Sequence, residues 1–204
     1  MSLLLRVELP DVPGSLGRLA TAIGAAGGDI EALEIVEKRY DGTAVDDVLL
    51  ETPVGVMPDS IVSACNALDG VRVVWISRYA AGNNLFLDLE VVEELTAAPE
   101  TALERLVDML PVTFRCEWGA WVAPGDEVRH GTEGAPSDVP FVPADKPIRL
   151  EGGEDDDVRC AAPLTGKDIV VIGRRGGPEF LESELARLGH LAGLAASISE
   201  RSGR

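Results

Sequence analysis

A chain of 204 residues with a formal net charge of −17 and a pI near 4.4 is a poor partner for nucleic acid, whose phosphates are gripped by Lys and Arg, and for an anionic membrane surface. Cys65, Cys116 and Cys160 are odd in number, far apart and without a CxxC spacing, which excludes the usual zinc, redox-pair and disulfide frameworks. With no basic-then-apolar leader and no window of about 18 apolar residues, the expectation is a cytoplasmic protein with reduced thiols, kept in solution by its acidity.

Leu3, Leu5, Val7 and Leu9 alternate with Leu4, Arg6 and Glu8, the period of a strand with one buried face. Pro10 and Pro13 stop that strand. Beyond Gly14, the residues Leu16, Leu19, Ala20 and Ile23 recur at helical spacing, with Ser15 expected as the N-cap and Gly27-Gly28 as the stop. Ile30 to Tyr40 and Thr43 to Glu51 flank Asp41-Gly42, a tight-hairpin signal. Pro58 and Asp59 open a second helix with Ile61, Ala64, Cys65 and Leu68 on one face, and Val71 to Tyr79 forms a closing strand. The order is βαββαβ, a ferredoxin-like unit.

Asp11-Val12-Pro13-Gly14-Ser15-Leu16, followed by Gly27-Gly28-Asp29-Ile30, resembles the ACT domain, a regulatory module of amino-acid-metabolism enzymes. The resemblance covers about residues 3–79. It implies a homodimer with an effector near the subunit contact, Asp11 to Leu16 lining the site and Asp29 and Ile30 facing it. Helix-mouth amides and the helix dipole would receive a carboxylate, contributing about 0.3–1 kcal/mol and up to ~2 when sheltered. An amino-acid effector would bind with millimolar to tens-of-micromolar affinity, roughly −4 to −7 kcal/mol.

Position 29 departs from the family, which has Asn there. An ionised Asp accepts hydrogen bonds and donates none, and at ~4 Å it repels a like charge by about 4 kcal/mol at an effective dielectric of ~20. Asp29 therefore suits a ligand's amino group, and otherwise the site takes a different ligand or none.

Ala80 to Asn84 reads as a linker, dividing the chain into domains 1–80 and 84–204. Helices are expected at Leu85–Leu95 and from Pro99 to Leu110, ended by Pro111. Val112 to Val122 reads as a strand with Phe114, Cys116, Trp118 and Ala120 on one face. Ala123 to Lys146, rich in Pro and Gly, reads as one long loop. Strands follow at Ile148–Leu150, Val158–Pro163 and Ile169–Arg174, then a helix over Pro178–Ser199.

The run Ile169 to Arg174, then Gly176-Gly177-Pro178-Glu179-Phe180 and Leu185 to Leu188, resembles the last strand, turn and closing helix of a GAF domain. That family's pocket would lie between sheet and long loop, with Trp118, Trp121 and Phe141 as lining or as plain core. The cyclic-nucleotide signature N-K-x-F-x-x-D is absent, and no cysteine aligns with tetrapyrrole attachment.

His130 and His190 are the only histidines and have no ligand partner at helical spacing. The acidic run Glu151 to Asp157 lacks an EF-hand's spacing, and Gly173 to Pro178 lacks a phosphate-loop pattern. No catalytic constellation and no cofactor or metal site is expected. The fold class is α+β, an ACT-like unit followed by a GAF-like one. The functional expectation is a non-catalytic regulatory protein that binds a small effector, an amino acid, at the ACT-like turn and dimer interface. The alternatives are a dimerising adaptor or regulatory subunit that binds a partner enzyme and no ligand, and an enzyme with unrecognised chemistry in the C-terminal domain, in the long loop Ala123–Lys146.

Overall fold

The computed structural model describes residues 1–78, 84–151 and 157–202, divided into two compact units, Met1–Ala81 and Gly82–Arg204. Tyr79, the linker and most of the acidic run at 151–157 lie outside the described residues. Each unit is α+β, as the sequence predicts.

In the first unit the elements are β1 (Ser2–Pro10), α1 (Ser15–Ala25), β2 (Asp29–Lys38), β3 (Thr43–Glu51), α2 (Pro58–Asn66) and β4 (Arg72–Arg78). The sheet is antiparallel in the order β2-β3-β1-β4, the ferredoxin-like arrangement. Leu3, Leu5, Val7 and Leu9 pack with Val48 and Leu50 against Leu19 and Ile23 of α1 and Ile61 and Cys65 of α2. The opposite face buries an ion pair. Arg6 Nε and Nη2 donate to Asp47 at 2.7 and 2.8 Å, with the guanidinium 5.8 Å from the Trp75 ring centre. Two charges this deep hold the register, because either one alone would be stranded.

The hairpin between β2 and β3 is one residue longer than the Asp-Gly signal implies. Arg39 N donates to the Thr43 carbonyl and Gly42 N to the Arg39 carbonyl, with Gly42 at φ +84°. Tyr40, Asp41 and Gly42 thus form a three-residue loop with a left-handed last residue. Asp41 Oδ1 accepts from the Thr43 amide and hydroxyl.

The second unit comprises α3 (Asn84–Ala97), a short 3-10 turn (Pro99–Thr101), α4 (Ala102–Phe114), β5 (Trp118–Ala123), β6 (Glu127–Gly131), β7 (Ile148–Leu150), β8 (Asp157–Pro163), β9 (Ile169–Arg175) and α5 (Glu182–Ser202). Its sheet is antiparallel in the order β6-β5-β9-β8-β7. One core joins α3, α4 and α5 to the sheet through Val91, Leu106, Leu110, Ile172, Leu188 and Ala192. A second lies on the loop side, where Trp118, Ala120, Val122 and Val171 meet Val139 and Phe141.

Three expectations are corrected. Pro111 lies inside α4 rather than ending it, because the apolar face continues to Thr113 and Phe114, both buried. The helix stops at Arg115, which is left-handed at φ 49°, and the strand starts only at Trp118. Phe114 and Cys116 accordingly belong to the helix-side core and Trp118 and Ala120 to the loop side. The stretch 123–146 is not all loop either. Gly125 and Asp126, both at positive φ, turn the chain back into β6.

Arg174 anchors α5 to this sheet. Its guanidinium donates to the carbonyls of Phe114 (2.8 Å), Arg115 (3.2 Å) and Pro178 (3.1 Å) and to Glu184 Oε1 (2.8 Å), and it lies 4.2 Å from the Phe180 ring centre. Glu184 Oε2 in turn accepts the Leu181 amide at 2.8 Å.

On the loop side the Trp118 indole abuts Gly173, where a Cβ would lie only 2.1–2.3 Å from its Cε2, Cζ2 and Nε1. Gly173→Ala is expected to cost about 1–3 kcal/mol by overpacking. Gly193→Ala, in α5 with open space around it, should gain about 0.5–1 kcal/mol. Urea unfolding of the two variants checks both.

Candidate functional site

The turn from β1 into α1 is built by backbone alone. Val12 N donates to the Pro10 carbonyl at 2.9 Å, Ser15 N to the Val12 carbonyl at 3.2 Å and Arg18 N to the Gly14 carbonyl at 3.1 Å. Gly14 is left-handed at φ +91° and takes the N-cap position without a side-chain cap. Ser15 therefore does not cap the helix. It is the first helical residue and is buried, one turn before Leu19 and two before Ile23. Ser15 takes the stripe position expected of Ala20, which is exposed.

Among the described residues the amides of Leu16 and Gly17 meet no protein acceptor, and a Cβ on Gly14 would have no neighbour within 4 Å. The helix mouth is thus open, carries the positive end of the α1 dipole and presents unpaired donors. Asp11 stands at its edge, its carboxylate 3.0 Å from Lys38 Nζ and its amide bonded to the Gly42 carbonyl. Val12 is 54% exposed, Pro13 is exposed and Leu16 packs its side chain on the core.

Asp29 and Ile30 are not part of this mouth within one chain. Asp29 pairs with Glu51 and Ile30 with Leu50, whereas the mouth follows Pro10, which pairs with Thr43. At about 3.3 Å per residue, the length of β3 puts them roughly 26 Å apart.

A residue that sequence reading passed over lies nearer. Asp46 pairs with Val7 on one side and Ile35 on the other, so it shares the helix-bearing face with Val7 and Val48. It is 1% exposed, and its Oδ1 has no hydrogen-bond partner. Burial, with Asp11 and Asp47 adding negative potential and Lys38 opposing it, lifts its pKa from 3.8 to about 6. A polar residue inside a Val-Leu strand was the available signal.

Elsewhere the chemistry is structural. Burial pushes the Cys65 thiol up to about 11 and Cys116 to about 12, and raises Cys160 as well. All three are free and buried, the opposite of a reactive thiolate. Trp118 and Phe141 share the loop-side core, while Trp121 packs on the other face, its Nε1 donating to Asp168 at 2.8 Å. His130 Nε2 lies 2.7 Å from Asp108 Oδ1, and His190 is exposed. A surface groove of about 530 Å³ is lined by Glu94, Thr101, Glu104, Arg105, Asp108 and Met109. The described residues include no cluster of three or more metal-ligating side chains, and no described helix is long and apolar enough to cross a membrane.

No family model matches the chain. It is 29% identical over 122 residues to NAD-dependent malic enzyme 1 of Bacillus subtilis (strain 168), which covers 59% of this chain and 24% of that enzyme. The chain thus spans about a quarter of the curated relative it matches. Among solved structures, it is similar to free methionine-R-sulfoxide reductase from Neisseria meningitidis, in complex with its substrate, at 13% identity and a TM-score of 0.48, covering 62% of this chain and 98% of that one. It is also similar to the GAF domain of Acinetobacter phosphoenolpyruvate-protein phosphotransferase, at 12% identity and a TM-score of 0.43, covering 61% of this chain and 100% of that one.

The raised pKa of Asp46 has a measurable consequence. Its carboxyl holds a proton more firmly in the fold than in the unfolded chain, so its contribution favours folding below about pH 4 and is lost as pH rises to about 6. Asp46→Asn should remove that slope and stabilise the protein at pH 8 by on the order of 2–3 kcal/mol, leaving pH 4 nearly unchanged. Melting temperatures at the two pH values check it.

Proposed function

We propose that this chain is a non-catalytic regulatory protein that binds a small amino-acid effector at the mouth of α1 and acts on a partner enzyme. The observation that carries the reading is the uncapped helix start, where Leu16 and Gly17 offer free amides above a Gly14 that leaves the approach clear. A carboxylate fits donors so arranged. The ACT resemblance of Asp11 to Leu16 supports the same use.

The second unit is proposed as a GAF-like relay. A second copy of the chain completes the site, because Asp29 and Ile30 lie too far from the helix mouth to face it within one chain. β2 is an edge strand with Leu33 and Ile35 partly exposed, the kind of edge that invites pairing. That same edge favours the adaptor as second reading, in which the copies pair and no ligand binds.

Thermal-shift measurements against the twenty L-amino acids separate the two, because a ligand specific to the native state raises the melting point. At ten times Kd the gain is about 1.4 kcal/mol, a rise of several degrees. Gly14→Leu should abolish that rise while costing about 1–2 kcal/mol in backbone strain. No shift with any amino acid would favour the adaptor.

Mixing tests the shared site. Gly14→Leu and Asp29→Arg should each fail to bind alone, whereas a mixed dimer regains one intact site. Calorimetry on the mixture that shows no recovered binding would overturn the two-copy arrangement.

A further inference from the structure

The second unit carries its charge unevenly. From Asn84 to Phe114, the span of α3 and α4, the sequence has seven carboxylates against a single cation, Arg105. The two helices run antiparallel. Arg105 pairs with Glu94 towards one end, and at the other Arg187 Nη2 donates to Asp88 Oδ1 at 2.5 Å and to the Thr113 carbonyl at 3.3 Å.

On the outer side of α4, Thr101, Arg105, Asp108 and Val112 are all exposed, and their spacing of four, three and four residues puts them on one stripe. The groove of about 530 Å³ follows this stripe, its walls mostly carbon, with the half-buried Met109 among them. Val112 is 66% exposed and Phe86 58%, both at the Asp88 end of the helix pair. The cation of the groove is already engaged, since Arg105 pairs with Glu94 and donates from Nε to the Thr101 hydroxyl at 3.3 Å. Asp108 Oδ1 lies 2.7 Å from His130 Nε2. Among the described residues, the carboxylates of Glu104 and of the exposed Glu90 and Glu93 meet no cation.

We propose that this groove docks a basic amphipathic helix of a partner protein, its apolar side chains against Met109 and Val112 and its Lys or Arg against the rim of Glu94, Glu104 and Asp108. Charge sets the class of partner. Nucleic acid and anionic lipid are repelled by such a rim. A second copy would bring the same carboxylates, and a two-fold contact would set like charge against like. The walls set its conformation. Both are helices whose backbone groups are bonded within themselves, so an extended segment finds no ladder to join, whereas a helix satisfies its own backbone and presents anchors three and four residues apart. Thr101 to Val112 covers roughly 16 Å, three turns of either helix. This surface belongs to the second unit and stands independently of the effector reading at the start of α1.

Calorimetry on the full chain with a synthetic peptide of about 14 residues, four turns of helix, tests this. The peptide has Leu at helical spacing and Lys elsewhere. One companion holds the same residues in an order without that spacing, and another has Glu for every Lys. The helical Lys peptide should bind, the reordered one about tenfold more weakly, and the Glu peptide not at all. Glu94→Lys, Glu104→Lys and Asp108→Lys together should weaken binding about thirtyfold, and Val112→Asp alone about tenfold. Glu127→Lys, Glu133→Lys and Asp138→Lys make the same change in net charge at exposed positions elsewhere in the second unit, and should leave affinity within about twofold because salt screens distant charges. Circular dichroism establishes that each variant is folded.

An equal loss in the two triple variants would reduce the effect to overall acidity and overturn the groove. Binding indifferent both to peptide order and to Val112→Asp would do the same, as would silence from every peptide. Sedimentation that reveals a self-association dissolved by Val112→Asp would give the face to a second copy and likewise overturn the proposal.

Discussion

The left-handed backbone of Gly14 is the constraint on which the candidate site depends. A residue with φ +91° turns the chain out of β1 and into α1 in so few residues that no side chain is placed to cap the helix. The usual remedy, a hydroxyl or carboxylate on the second or third amide, is missing because Ser15 is spent on burial. α1 holds by packing instead, with Ser15, Leu19 and Ile23 on the sheet. The local cost of an uncapped start is compatible with a fold whose cohesion comes from the shared core of α1, α2 and the sheet.

The second unit solves the same problem of helix ends in the opposite way. There the last carbonyls of α4 and the chain leading into α5 are gathered by one guanidinium, Arg174, which also pairs with Glu184 and stacks on Phe180. Each donor is directed at a fixed acceptor, as a planar fork permits and an ammonium does not. The end of α4 is thus closed by a side chain from another element, whereas the start of α1 is left open at the surface.

Much of this was legible in the residues. The period-2 run Leu3 to Leu9, the Gly27-Gly28 stop and the β-branched closing strands fixed the order and class of the first unit. What was missed follows from tertiary burial overriding local signals. Pro111 reads as a stop, yet the demand to bury Phe114 carries α4 past it. β6 hides in a stretch rich in Pro and Gly because its pairing with β5 depends on two residues at positive φ, one of them the non-glycine Asp126. At the site, the turn Asp11 to Leu16 was readable from its spacing. Asp46 was not, since an acidic pair at 46–47 reads as a solvated edge until register shows Asp47 on one face with Arg6 and Asp46 on the other.

The depth of the three thiols gives the molecule a built-in reporter of its own opening. Cys65 sits in the first unit's core, and Cys116 and Cys160 in the second's. A maleimide or disulfide reagent can reach them only through fluctuations that expose those interiors. Labelling rates at Cys65, set against those at the other pair, would therefore time the breathing of each unit separately within one unmodified chain.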